Sequence, residues 1–99
     1  MMKKNRIVRI FLHAGKEPCP ACQAAKALFW KLCGHGVRVF LHSIKTKSGM
    51  AEMFAIPDLV RRPLPAVCIF NGLADTLPTK RWEGTVPSVE EVLEALETL

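Results

Sequence analysis

Ninety-nine residues, 49% of them hydrophobic, suffice for one compact domain over residues 1–99 with a modest core and leave no room for a second. No run approaches the roughly 20 apolar residues of a membrane span, and at this length the four cysteines are not needed as staples, which leaves them for chemistry. The formal net charge of +5 is scattered in short pairs between apolar segments without interleaved aromatics, so a solvated basic surface is expected, with no nucleic acid and no membrane as partner.

The opening Met1-Met2-Lys3-Lys4-Asn5-Arg6 imitates the basic end of a signal peptide, but the apolar segment after it is short and lacks a small-residue cleavage site. A cytoplasmic protein is therefore expected. There thiols stay reduced, and a close cysteine pair is catalytic or metal-binding rather than a permanent cross-link.

Ile7 to Leu12 is almost continuously apolar and β-branched, interrupted by Arg9, the pattern of a central strand covered on both faces. Pro20 to Cys33 carries apolar residues near helical spacing at Cys22, Ala25, Leu28, Phe29, Leu32 and Cys33 and stops at Gly34. Val37 to Leu41 returns as a second strand, completing a β-α-β unit with parallel strands. Ser48 to Ile56 reads as a short helix with Met50, Met53 and Phe54 on one side, ended by Pro57. Ala66 to Phe70 is a second fully apolar strand; Asn71-Gly72 turns the chain, and Lys80 to Glu83 should pair back across a long hairpin loop. The last helix is signalled by Ser88 as N-cap, Glu91 as its capping-box partner and a stripe at Val89, Val92, Leu93, Leu96 and Leu99.

The chemistry is expected at Cys19-Pro20-Ala21-Cys22, where a strand hands over to a helix. With Pro20 at the first helical position, Cys19 is the cap and Cys22 lies about one turn on, within the roughly 4.4–6.8 Å of Cα separation that a disulfide tolerates. The unpaired N–H groups and partial positive charge of the helix end favour thiolate over thiol, and thiols so placed titrate at about 3.5–7.5. Cys19 is then the nucleophile and Cys22 the resolving thiol.

This motif resembles the glutaredoxin form of the thioredoxin-superfamily active site, in which proline directly follows the first cysteine. The resemblance continues through Pro65-Ala66-Val67-Cys68-Ile69-Phe70-Asn71-Gly72 and through Gly84 before the final helix, and covers Ile7 to Leu99. It implies a minimal thioredoxin fold, β-α-β-α-β-β-α, α/β with a mixed four-stranded sheet and helices on both faces. It implies reversible thiol–disulfide exchange on a disulfide-containing protein or small thiol substrate, by a monomer. No cofactor or metal is needed beyond the Cys19–Cys22 disulfide, with glutathione or a reductase as electron donor. Pro65 would be the cis-proline that faces the cysteines and holds an extended substrate, with Leu64 beside it and Arg61 and Arg62 near a peptide or glutathione carboxylate. The chain departs from the pattern in having Pro63-Leu64-Pro65 where glutaredoxins carry Thr-Val-Pro, and Glu83-Gly84-Thr85-Val86 where they carry Gly-Gly.

Two alternatives belong to other classes. One is a thioredoxin-shaped binding module without activity. The other gathers Cys19, Cys22, Cys33 and His35 into a Cys3His zinc set, which requires the Pro20–Cys33 helix to be absent, because such a helix spans roughly 20 Å. Cys33 and Cys68 are otherwise expected as small buried hydrophobes, Trp30 and Trp82 as packing residues, and His13 and Lys16 as solvated loop residues near the cysteines.

Overall fold

A computed structural model of the chain describes residues 6–12, 20–73, 75 and 77–98. The elements run β1 (Ile7–Leu12), α1 (Pro20–Gly34), β2 (Arg38–Ser43), α2 (Lys47–Ala55), a 3-10 turn (Leu59–Arg61), β3 (Ala66–Phe70), β4 (Lys80–Glu83) and α3 (Val89–Thr98). The sheet order is β2-β1-β3-β4. β2 runs parallel to β1, while β3 and β4 are antiparallel to their inner neighbours. This is the β-α-β-α-β-β-α arrangement of a minimal thioredoxin fold.

All six residues of β1 are buried because the strand is central and both faces are covered. On one face Val8, Ile10 and Leu12 pack with Val67 and Ile69 against Cys22, Ala25, Leu28 and Leu32 of α1 and Val92, Ala95 and Leu96 of α3. On the other, Ile7 and Phe11 pack with Ala66, Cys68 and Phe70 against Met53, Ile56 and Leu59. Each large aliphatic side chain so buried contributes about 1.5–3 kcal/mol.

The helix ends follow local chemistry. Ser88 Oγ accepts from the Glu91 N–H at 3.1 Å while Glu91 Oε1 accepts from the Ser88 N–H at 3.4 Å, a reciprocal capping box. Helix α1 continues through Gly34 and closes two residues later than expected. Gly36 takes the left-handed φ of +76°, its N–H meets the Cys33 carbonyl, and the Val37 N–H reaches the Leu32 carbonyl. That is a Schellman closure, completed by the shared core position of Leu32 and Val37.

Four expectations need correction. The second strand is Arg38–Ser43 rather than Val37–Leu41, because the Schellman turn consumes Val37 and β2 pairs along the full length of β1. Phe54 is exposed: α2 buries Gly49 and Met53, and Phe54 is rotated about 100° beyond them. The same rotation past Leu32 leaves Cys33 exposed, so it fills no core. Trp30, two residues beyond the buried Leu28, is 71% exposed and makes an edge-to-face contact with Phe29. Trp82 does pack against the core, and α3 adds Ala95 to its expected stripe, whose last member, Leu99, lies outside the described residues.

Candidate redox site at the N-terminus of helix α1

The start of α1 lies at the C-terminal end of β1. The helix is followed after three residues by β2, and Ile7 pairs with Arg38 in parallel, so the end of α1 is level with the beginning of β1. A helix of 15 residues extends about 22 Å, and a six-residue strand about 20 Å, which returns its first turn to the level of Leu12.

Cys22, the third residue of α1, begins the buried stripe that continues through Ala25, Leu28 and Leu32. It is 8% exposed and shares a core cluster with Leu12. The first turn of α1 contains no acidic residue, so no carboxylate there offsets the partial positive charge of the helix end. Cys19, which immediately precedes Pro20 in the chain, lies outside the described residues, as do His13 and Lys16.

The antiparallel pairing of Phe11 with Ala66 brings Pro65 to the same end of the sheet. The Leu64–Pro65 peptide bond is cis, the conformation implied by the resemblance. The Pro65 side chain is fully buried, so the partly exposed Leu64 is the accessible neighbour at this edge. The Pro65 carbonyl accepts the Gly84 N–H at 3.0 Å. Gly84 has φ of +75°, and a Cβ there would meet Pro63 Cγ at 2.9 Å, so the position requires glycine twice over.

Arg62 is already engaged. Its Nε donates to Asp58 Oδ2 at 3.1 Å, its Nη2 lies 2.9 Å from the same oxygen, and its Nε also lies 3.4 Å from Glu83 Oε2. Arg61 is exposed. Asp58 itself sits in the left-handed region at φ 66°.

The other sulfur groups do not join the site. Cys22 and Cys33 lie eleven positions apart on one continuous helix, about 16 Å of rise, and cannot share a metal. Among the described residues no group of three or more His, Cys, Asp or Glu side chains is placed to hold an ion. Cys68 is fully buried in β3, and burial pushes its thiol up to about 12, with Arg81 lowering it and Glu83 raising it to lesser degrees. Because the thiolate is the reactive form, Cys68 is inert near neutral pH.

Sequence reasoning missed a polar cluster on the α2 face. Arg9, only 7% exposed, donates from Nη1 to His42 Nε2 at 2.9 Å, lies 3.5 Å from Glu52 Oε2 and stands 5.1 Å from the centre of the Phe40 ring. The lone arginine in an apolar strand was the available signal, since a buried cation must find partners. The hydrogen bond needs a neutral His42, which also stacks on Phe11. Burial, and after it the Arg9 guanidinium, hold His42 below its ordinary value, while Glu52 opposes them.

Between that lowered value and the unfolded value of about 6.5, the unfolded chain binds more protons than the folded one. Stability is therefore expected to fall as pH falls through this window and to level off below it. Urea midpoints between pH about 7.5 and about 5 check this, and His42→Gln should flatten that part of the slope.

No protein-family model matches the chain, and no curated protein sequence matches it. Among the described residues no helix is long and apolar enough to cross a membrane.

Proposed function

We propose that this chain is a thiol–disulfide oxidoreductase of the glutaredoxin-like kind, working by dithiol–disulfide exchange at Cys19 and Cys22. The observation that carries the reading is Cys22 in the first turn of α1, beside the end of the central strand and directly after the Cys19-Pro20-Ala21 sequence. A resolving thiol belongs there: shielded from solvent, three residues after its partner in the chain, and at the end of the helix whose field favours thiolate.

In the reaction the Cys19 thiolate attacks one sulfur of a substrate disulfide. The substrate S–S bond breaks, the second substrate sulfur leaves as a thiolate, and a Cys19–substrate mixed disulfide forms. The Cys22 thiolate then attacks Cys19 Sγ, releasing the first substrate sulfur as a thiolate and closing the Cys19–Cys22 disulfide. Two electrons have passed to the substrate, whose two thiolates take up protons from water. Two molecules of glutathione, or the dithiol of a reductase, reopen the disulfide by the same steps in reverse order, leaving oxidised glutathione or the reductase disulfide. The substrate would be a disulfide-containing protein or small thiol compound, the working unit a monomer, and the compartment a reducing one such as the cytoplasm.

The test is catalysed opening of a cyclic peptide disulfide by dithiothreitol. Cys19→Ser should reduce the rate to that of dithiothreitol alone, and alkylation of wild-type Cys19 should titrate well below the ordinary thiol value of about 8.5. Unchanged catalysis in Cys19→Ser would overturn the reading. Absence of catalysis in the wild-type protein would leave a binding module.

A further inference from the structure

The segment Arg62–Pro65 is tied to the end of β4 at three successive points. Arg62 Nε faces Glu83 Oε2 at 3.4 Å, Pro63 covers Gly84 so closely that a Cβ has no room, and the Pro65 carbonyl accepts the Gly84 N–H. Glu83 is the residue of β4 paired with Ala66, the first residue after this segment. Its Oε2 is buried and makes no hydrogen bond; it is held by ion pairs with Arg62 Nε and, at 3.6 Å, Arg81 Nε. A carboxylate oxygen withdrawn from water is costly unless opposite charge compensates it. Here two guanidinium groups do so, and one of them belongs to the segment leading to Pro65. Asp58 Oδ2 accepts from the same Nε at 3.1 Å and faces Nη2 at 2.9 Å, so the arginine is held both by the turn before it and by the strand after it.

We propose that Glu83 is a positioning residue for the dithiol site, acting through Arg62 to hold the Arg62–Pro65 segment in fixed register with β4. Leu64 then offers a fixed edge, at the same end of the sheet as the start of α1, to an extended disulfide substrate. The proposal rests on the dithiol reading. It also gives Arg62 a role other than the substrate-carboxylate contact implied by the resemblance, because its Nε and Nη2 already meet acids of this chain.

The test uses the full chain, dithiothreitol as reductant and an amidated cyclic peptide disulfide without acidic residues, on which a direct Arg62–carboxylate contact cannot act. Glu83→Gln should raise KM about threefold to tenfold, more than an exposed pair would give, with kcat within about twofold of wild type. The pH profile of Cys19 alkylation should not move. Arg62→Gln, at a side chain 46% exposed and safe for folding, should have the same effect, and the double variant should add little to either. Wild-type KM in both folded variants would overturn the proposal, as would two effects that simply add. If Cys19→Ser retains activity, the dithiol reading fails and this proposal with it. If Cys19→Ser is inactive while Glu83→Gln and Arg62→Gln match wild type, only the positioning role fails.

Discussion

Cys22→Ser should stop turnover and leave a covalent trap. On the proposed mechanism Cys19 of this variant still attacks a substrate disulfide, but Cys22 no longer resolves the product, so the mixed disulfide should persist until an external thiol arrives. Well-oriented intramolecular groups reach effective molarities of about 10⁵ M or more, far above any external thiol, so the steady-state rate should fall on the order of a hundredfold or more. The adduct is read as a mass increase of one substrate half, cleared by dithiothreitol and missing from the Cys19→Ser, Cys22→Ser double variant. Because Cys22 is nearly buried against Leu12 and Ala25, the serine hydroxyl also costs some stability, and circular dichroism separates that from the loss of chemistry. Full turnover in Cys22→Ser would leave no role for a second thiol.

Gly49→Ala is the substitution expected to unsettle the fold most for its size. In an open helix it would stabilise by up to about 1 kcal/mol. Gly49 instead lies in the first turn of α2, pressed onto the end of β2. A Cβ there would be driven into the Ser43 carbonyl and would stand 2.8 Å from Thr46 Oγ1. Neither neighbour can yield cheaply. The Ser43 carbonyl accepts the Thr46 N–H and hydroxyl, and Thr46 Oγ1 caps α2 by accepting the Gly49 N–H at 2.9 Å. The expected cost is about 3 kcal/mol, a fall in Tm on the order of 15 °C for a chain of this size. Gly34→Ala supplies the control: that residue is helical and exposed, with nothing within 4 Å of its would-be Cβ, so alanine there should be neutral or stabilising. Equal Tm shifts in the two variants would show that helix propensity, rather than the approach to Ser43, sets the effect.

These cases mark how far the residues could be read before the fold was known. β1, apart from Arg9, and β3 were legible to the residue because a central strand covered on both faces is a near-continuous apolar run, bounded here by Arg6 before β1 and by Pro65 and Asn71 around β3. The α3 cap was legible because Ser88 and Glu91 satisfy each other within one turn. The helix beginning at Pro20, and Cys22 one turn inside it, were legible for the same local reason. Glu83 was not, since nothing near it in the chain announces that it will meet Arg62.

The sequence by itself determined the order and kind of the elements, both inner strands, and Cys22 in the first turn of a helix, all of which depend on neighbours within a few residues. Tertiary structure decided which way Trp30, Cys33 and Phe54 turn, since one residue rotates a helix by about 100° and the edge of an apolar stripe is drawn by what packs against it. It also decided the partners of the charges. Arg9 meets His42 and Glu52, and Arg62 meets Glu83, only because strand register and helix placement bring distant residues within 4 Å. At that range, out of water, a charge must be matched, and no pattern along the chain says by whom.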